Sequence, residues 1–452
     1  MEESEWIAEQ FQEEVEKGWT LALPMNASGL FNKGVYAPLG VVHQDSIDEQ
    51  GKIVPKKRLV HNMSKEGAVS HCSANSRTKE EELETVKYGF CHRRLVHYIV
   101  SIRASHPEER IMMCKGDFKS AYRRKYSAWD AVMLSLTSIV HLGFQFLLAS
   151  LRLTFGGTFC VSQWCLTSET ITDLANALLR CDEWDHNKVI SRWQHMVPDP
   201  IRLPLDIPIA AAKEMFVTVA LEIWGNIDCF IDDLPGVGLD TPAHVIRLPG
   251  AILLAIELFT RQYVNFPLPR DEMISITKLI AELGMSEQKI ILGWLYDSRH
   301  LLISLPREKY LAWLKQVKDL LRRKRSNHNE LKTLVGRLDH AAGVLHAAGV
   351  LPLARHFMER IRFATKCTAD RPNMPYTLNK TIQADLELML AVLARAHEGI
   401  NMNLLTYRLP NAQSKGTLVL VGWVVIRKLA ERGDSSSLTT YSVELTSTSW
   451  NS

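Results

Sequence analysis

Three aspartates stand where a protein could hold divalent metal ions. Asp117 ends the apolar run IMMCKGD, and Asp232 and Asp233 lie between an apolar run and a Pro-Gly turn in NIDCFIDDLPG. Carboxylates from two adjacent strands can hold two ions about 4 Å apart, which is the arrangement used in phosphoryl transfer. Mg²⁺ prefers carboxylate and phosphate oxygens and keeps several waters, so few aspartates suffice. The pattern therefore indicates phosphoryl or nucleotidyl transfer.

The segment between the two acidic motifs adds a third element. LRLTFGGTFCVSQW places Gly156 and Gly157 after an apolar strand, where backbone can approach a nucleotide or a template base closely. Each motif alone also fits an ordinary turn, because Asp and Gly favour turns. The order of the three motifs along one chain is what makes the pattern specific.

The order KGDFKSAYRR, LTFGG, FIDD and KIILGW resembles the motifs of reverse transcriptases, from about residue 36 to about residue 410. The likeness is to retrotransposon enzymes with an RNase H domain downstream, of the DIRS-like or a related kind. The resemblance implies an RNA-directed DNA polymerase that extends a primer 3′-OH on an RNA or DNA template. It also implies deoxynucleoside triphosphates as substrates and two Mg²⁺ or Mn²⁺ ions as cofactors.

Carried onto this sequence, the resemblance gives the acidic motifs their roles. Asp117 and Asp232 would bind the metal ions, and Asp233 would be the third, supporting catalytic aspartate. Tyr122, five residues after Asp117, would exclude a ribose 2′-OH and so select deoxynucleotides. Gly293 would form the turn that grips the primer.

The resemblance also implies which residues touch the nucleotide. Arg58 in RLVHNMS would grip the triphosphate, with Lys57 as the second choice. Phe155 and Gly156 would border the nucleotide and the template. Lys289 in EQKIILGW would lie near the pyrophosphate.

The fold implied by the resemblance is α+β, a right-hand polymerase with fingers, an antiparallel-sheet palm and a helical thumb. Residues 1–110 would form most of the fingers. Residues 111–300 would form the palm, with an inserted fingers segment and a long irregular insertion near 183–208. Residues 301–400 would be the thumb or connection, and 401–452 the lead-in to RNase H and a tail.

Local patterns predict several elements. Ser138–Leu153 is the most apolar stretch, but polar residues interrupt it and it is short for a membrane span, so we expect buried core. Pro306 suits the first turn of a following helix. The hexapeptide HAAGVL at 340–345 recurs at 346–351. Helical spacing is found in the ranges 5–18, 83–104, 166–182, 250–262, 329–346 and 351–366.

The tail departs from the family pattern after Pro410. Synonymous codons for 415–427, read from each third base, permit a segment that resembles the first RNase H strand with its aspartate. The same frame over 443–452 permits a segment with the expected glutamate. We therefore hypothesise a frameshift that leaves a disordered tail without RNase H activity.

Composition narrows the classes of protein. Lys and Arg total 53 against 50 Asp and Glu, so net charge does not decide on a polyanionic partner, although basic residues cluster near 52–65, 123–125 and 307–325. Eight cysteines without a CxxC pair indicate neither a disulfide framework nor a zinc site. The acidic N-terminus is not a secretory signal, so we expect a cytoplasmic or nuclear protein that does not bind membranes.

Two other functions fit parts of this pattern. An RNA-dependent RNA polymerase shares both acidic motifs, but usually has a carboxylate where Tyr122 stands and GDD in place of FIDD. A catalytically inactive, nucleic-acid-binding relic of such an element would keep the same residues. A small-molecule hydrolase or dehydrogenase has no support, because GxGxxG, GxSxG, HExxH and GxxxxGK[ST] patterns are missing.

Overall fold

The chain folds into a mixture of helices and mostly small antiparallel sheets in a computed structural model. In the part of the chain that the structure describes, no helix is both long and apolar enough to cross a membrane. The described residues are 2–31, 34–47, 53–66, 72–79, 81, 83–86, 88–213, 224–260, 273–347, 352–371 and 374–406. The predictions for the tail after Pro410 and for the second HAAGVL from residue 348 onward fall outside them.

The regular elements have these bounds. The strands are β1 (Thr20–Pro24), β2 (Leu39–Ile47), β3 (Ile53–His61), β4 (Ile111–Asp117), β5 (Leu136–His141), β6 (Phe144–Ser150), β7 (Gly225–Ile227), β8 (Asp233–Leu239), β9 (Gln288–Ile291), β10 (Trp294–Asp297), β11 (Leu302–Ser304), β12 (Arg325–Ser326), β13 (Tyr376–Thr377) and β14 (Ile400–Asn401). The helices are α1 (Glu2–Glu16), α2 (Cys91–Ser105), α3 (Trp129–Val132), α4 (Thr158–Arg180), α5 (His244–Phe259), α6 (Ile276–Lys278), α7 (Arg307–Arg323), α8 (His328–Ala347), α9 (Pro352–Cys367), α10 (Lys380–Glu398) and α11 (Asn403–Thr406).

A three-stranded antiparallel sheet, in the order β4-β8-β7, forms the centre of the molecule. Successive side chains of β4 point to opposite faces. Ile111 and Met113 pack with α2 and the C-terminal helices, whereas Met112 and Cys114 pack with α4 and α5. Both faces are therefore covered, which is why β4 reads as a continuous apolar run. A Cβ on Gly116 would lie 2.7 Å from Ile252 Cγ2, so glycine there lets α5 approach the sheet.

The N-terminal region contributes two small sheets. β1, β6 and β5 form one antiparallel sheet, and β2 pairs with β3 in a long two-stranded ribbon. Helix α1 buries Phe11 and contacts β1. Within this region, the ribbon β2–β3 matters most for the site, because it carries the basic residues before His61.

The C-terminal region combines the sheet β14-β11-β10-β9 with a group of helices, α7 to α10. Leucines at helical spacing in α7 and α8 enter one continuous core with α2 and the central sheet. Pro306 is the residue before α7 and not part of its first turn. Helices α8 and α9 follow the predicted ranges to within a residue or two, and α8 contains all of the first HAAGVL copy.

The insertion near 183–208 is irregular, as predicted, with a 3-10 turn at Gln194–Met196. It is nevertheless packed, since Trp184 and Trp193 belong to the core shared with α4 and α5. Indole Nε1 of Trp184 donates to the carbonyl oxygen of Val189 at 2.9 Å. Two tryptophans nine residues apart thus hold this segment against the core, although it has little regular structure.

Several local predictions need correction. Helix α2 begins at Cys91, eight residues after the predicted start at 83, and α4 begins at Thr158, eight residues before the predicted start at 166. Ser138–Leu153 is not uniformly buried: Val140, Leu142 and Phe144 are exposed, because β5 and β6 meet in a projecting hairpin and only the later part of β6 reaches the core. Helix α5 begins at His244, six residues before the predicted start at 250, and contains Pro249 inside its first turns. Pro249 is the sixth residue of α5, beyond the first four backbone N–H groups that lack a partner within a helix, so α5 forgoes one hydrogen bond, to the carbonyl oxygen of Val245.

Candidate active site

The three aspartates meet at one end of the central sheet. Asp117, the last residue of β4, is the cross-strand partner of Asp233, the first residue of β8. Phe230 and Asp233 exchange backbone hydrogen bonds of 2.9 and 3.0 Å, which close a two-residue turn holding Ile231 and Asp232. The backbone N–H of Phe118 donates to the carbonyl oxygen of Asp232 at 3.3 Å. The hairpin thus brings Asp232 beside the end of β4.

Their surroundings disfavour the charged forms of these carboxyl groups. Burial raises the pKa of Asp117 to about 7, although Lys278 acts in the opposite direction, and Asp233 and Asp232 raise it further. Burial and the charge of Asp233 likewise raise the pKa of Asp232. Close carboxylates in a poorly hydrated site repel one another, and an added cation would reduce this repulsion.

A segment along the free edge of β4 supplies charges that the sequence did not indicate. Lys278 Nζ donates to Asp117 Oδ2 at 2.5 Å. Glu282, four residues later, accepts from Lys115 at 2.8 Å, and Lys115 Nζ lies 3.4 Å from Asp233 Oδ1. Lys115 could have been found from its place two residues before Asp117 on the same strand face. Nothing in the sequence links Lys278 and Glu282 to the aspartates.

Strand β3 brings positive charge over the aspartates. The charge of Arg58 lowers the pKa of Asp232, and the pKa of Lys56 is lowered by burial and by Arg58 while Asp117 and Asp232 raise it. Lys56 and Arg58 share a face of β3 because strand side chains alternate.

Lys57, the second choice for a triphosphate ligand, points away from the face that Lys56 and Arg58 share. Its Nζ lies 5.9 Å from the ring centroid of Trp6, on the other face of the strand. Lys56, a neighbour that was not among the predicted site residues, lies close enough to Asp117 and Asp232 for their charges to raise its pKa. Because side chains alternate along a strand, the choice of Arg58 would also have pointed to Lys56, two residues earlier on the same face of β3.

Tyr122, Phe155 and Arg58 form one wall beside the aspartates. The rings of Tyr122 and Phe155 are 4.9 Å apart, and the Arg58 guanidinium lies 6.0 Å from the Phe155 ring centroid. Burial and the charge of Asp232 raise the pKa of Tyr122 above its usual range, so its hydroxyl stays protonated. Gly156 has φ +117°, and a Cβ there would lie 1.9 Å from the His61 carbonyl oxygen. Glycine is therefore required where this loop meets β3.

The two remaining predicted residues lie away from the aspartates. Lys289 Nζ donates to the carbonyl oxygen of Gly284 at 2.8 Å, and burial lowers its pKa. Lys278, and not Lys289, is the lysine whose ammonium group reaches Asp117. Gly293 forms the β9–β10 turn at φ +82°, and Lys309 donates to its carbonyl oxygen at 3.2 Å.

The outer strand of the hairpin that carries Asp232 is anchored from two sides. Arg94 of α2 donates twice to Asp228, with both nitrogen–oxygen distances 2.6 Å, and the Tyr88 ring meets the Phe230 ring edge-on at 5.3 Å. On the other side, Asn176 of α4 donates to the Ile227 carbonyl oxygen at 2.7 Å. These residues come from distant parts of the chain, and sequence patterns did not single them out.

The likeness to known proteins is limited. No family model matches the sequence, and no curated protein does. Among solved structures, the chain is similar to a foamy viral protease-reverse transcriptase in complex with RNA/DNA hybrid, with 10% identity, a TM-score of 0.47, and coverage of 88% of this chain and 37% of that one.

Two further structures of this foamy viral protein are similar at the same level. The complex with double-stranded DNA has 12% identity, a TM-score of 0.42, and coverage of 90% of this chain and 58% of that one. The form named dRH, in complex with double-stranded DNA, has 11% identity, a TM-score of 0.43, and coverage of 86% and 47%. The chain spans less than two thirds of each of these three chains. We therefore infer the chemistry of its site from its own residues.

Proposed function

We propose that this chain is an RNA-directed DNA polymerase of a retrotransposon, built as fingers, palm and thumb. One observation carries the proposal: the cross-strand pair Asp117 and Asp233, with Asp232 in the adjoining turn, lies beneath the cations of β3 and the Tyr122 ring. Buried carboxylates facing exposed cations are suited to bind metal ions and a triphosphate together. Neither the carboxylates alone nor the cations alone would distinguish the active site of a polymerase from a set of structural ion pairs.

The residues present fit a hard divalent cation by their chemistry. Asp117, Asp232 and Asp233 offer carboxylate oxygens, and the pKa values of Asp117 and Asp232 are raised first by burial and then by the neighbouring aspartates, both of which a bound cation would offset. Within the described residues, no three or more His, Cys, Asp and Glu side chains are gathered closely enough to hold an ion as they stand. Asp117 and Asp232 would hold the two Mg²⁺ or Mn²⁺ ions once Lys278 leaves Asp117.

In the proposed reaction, a primer 3′-OH attacks the α-phosphate of a deoxynucleoside triphosphate and pyrophosphate leaves. Bound metal ions supply activation of the attacking oxygen and stabilisation of the leaving group. Arg58 and Lys56 would neutralise and orient the triphosphate from β3. Phe155 and Gly156 would border the base pair, and the buried Tyr122 ring would leave no room for a 2′-OH.

A primer–template duplex is the proposed partner. Phosphate contacts supply most of the affinity of proteins for nucleic acids. Helix α7 and the residues directly after it present a row of exposed cations on the proposed thumb. These are Lys315, Lys318, Arg322, Arg323, Lys324 and Arg325.

The first test is primer extension on poly(rA)/oligo(dT) with Mg²⁺ or Mn²⁺. We expect Asp232→Asn to reduce incorporation by at least about 10²–10³-fold, the usual cost of removing one electrostatic group from a reaction site. Asp130→Asn, a matched change at an exposed aspartate, should leave incorporation unchanged. Equal incorporation by wild type and Asp232→Asn would contradict the proposal.

A second candidate, a nucleic-acid-binding protein without turnover, is favoured by the ion pair between Lys278 and Asp117, which uses a carboxylate that the reaction needs. Duplex binding, measured by fluorescence anisotropy, separates the two. A folded wild-type protein that binds the duplex but incorporates nothing with either metal would support the second candidate.

A further inference from the structure

We propose that Trp164 is a positioning residue for the catalytic turn. Its indole N–H holds the carbonyl group of Ile231 and so keeps Asp232 turned towards Asp117. The inference rests on the proposed function, because it assigns a task to Trp164 only if Asp232 binds metal.

The turn that carries Asp232 has an unfavourable backbone conformation. Ile231 has φ +57°, in the left-handed region that a β-branched residue rarely adopts. Two-residue hairpin turns usually have Gly, Asn or Asp at such a position. In the described part of the chain, the other non-glycine residues with positive φ, none of them β-branched, are Ser120, Leu142, Leu292, Leu301 and Lys324.

Trp164 makes the contact that holds this conformation. Its Nε1 donates to the Ile231 carbonyl oxygen at 2.9 Å, and the side chain is fully buried. Its ring meets the Phe118 ring edge-on at 5.2 Å. Because Phe118 N–H donates to the next carbonyl oxygen, that of Asp232, both peptide groups of the turn are fixed in orientation.

The other anchors of the hairpin act before the turn, and the nearest of them is the Tyr88 ring, which packs against Phe230. Arg94 holds Asp228 and Asn176 holds Ile227, three or more residues before Ile231. They fix the strand but leave the two turn residues free to change conformation. An indole N–H without an acceptor would be costly at this buried position, so the bond and the strained turn support each other.

The experiment measures Mn²⁺ binding directly, by electron paramagnetic resonance of free Mn²⁺ on the unmodified full chain and its variants. We expect Trp164→Phe, which keeps the aromatic body and removes the N–H, to weaken Mn²⁺ binding about 10-fold, as loss of an outer partner of a metal ligand does. Trp184→Phe removes a matched indole bond to the carbonyl oxygen of Val189 and should leave Mn²⁺ binding unchanged.

Ile231→Gly supplies the second arm, because glycine adopts positive φ without strain. In that background the indole bond should matter little, so the double variant with Trp164→Phe should bind Mn²⁺ as Ile231→Gly does. The comparison of Ile231→Gly with the double variant still tests the inference if the single Trp164→Phe variant does not fold. A further 10-fold loss in the double variant, or equal binding by folded Trp164→Phe and wild type, would overturn the inference.

The Asp232→Asn variant separates this inference from the proposed function. If wild type binds Mn²⁺ and Asp232→Asn does not, the proposed metal site stands and the tryptophan variants decide the role of Trp164. If Asp232→Asn leaves Mn²⁺ binding unchanged, the proposed function and the inference both fail.

Discussion

Two clusters of buried charge lie at opposite ends of β4 and differ in how their charges are balanced. At the end of β4, the aspartate cluster, Asp117, Asp232 and Asp233, combines close carboxylates with raised pKa values for the first two. Near its start, the glutamate cluster centres on Glu287, which is 0% exposed. Glu287 accepts from Arg299 Nη2 at 3.0 Å and from the backbone N–H of Leu203 at 2.7 Å.

The difference fits the proposed function, in which the aspartate cluster binds ligands and the glutamate cluster is a structural anchor. A buried carboxylate with enough donors is already stabilised, and Glu287 uses them to hold the insertion against the central sheet. In the aspartate cluster the carboxylates lie close together, and the cations on β3 and at Lys278 are exposed. Under the proposed function, this cluster is the one that binds a cation. Mutations should therefore affect stability at one end and ligand binding at the other.

The largest effect on stability is expected at the glutamate cluster. Glu287→Ala should lower the free energy of unfolding by about 3–5 kcal/mol, because it leaves the buried Arg299 guanidinium without its carboxylate. Urea denaturation followed by circular dichroism would measure this. The exposed Glu183→Ala in the insertion is the matched control and should change stability by less than about 0.5 kcal/mol. Similar changes in the free energy of unfolding for Glu287→Ala and Glu183→Ala would contradict the structural role of the glutamate cluster.

The aspartate cluster should respond to mutation in the opposite direction. The folded pKa of Asp117, about 7, lies above its unfolded value, so folding is favoured by protonation at low pH and that contribution is lost as pH rises through 7. Asn does not titrate. We therefore expect Asp117→Asn to melt at least about 2 °C above wild type at pH 8, with the advantage shrinking towards pH 4. A pH-independent difference, or a lower melting temperature at pH 8, would contradict this.

The smallest effect is expected on β3, where two neighbouring lysines can be compared. Lys56→Ala should raise the KM for deoxynucleoside triphosphate about 10-fold, since it removes one charged contact to the triphosphate. Lys57→Ala is the control, because its side chain lies over Trp6 on the other face, and its KM should equal that of wild type. Steady-state primer extension measures both. A larger increase for Lys57→Ala would reverse the assignment of the two faces.

Elements with one strong pattern could be predicted from the sequence, and elements that depend on context could not. The apolar run before Asp117 predicted β4, and helical patterns over 329–346 and 351–366 predicted α8 and α9. The same hydrophobicity misled at Ser138–Leu153, because the strands β5 and β6 extend beyond the core into a hairpin. Hydrophobicity measures a preference for burial, and it does not state whether a partner surface exists.

The sequence by itself determines the residue types and their order along the chain. That was enough to single out the three aspartates, the glycine loop and Tyr122 as candidate site residues. Tertiary structure alone decided which lysine reaches Asp117, because Lys278 is 161 residues away along the chain. It also decided that Trp164 meets the Ile231 carbonyl group, 67 residues away. The physical reason is that motifs record local spacing, whereas a hydrogen bond between distant segments depends on how whole helices and strands pack.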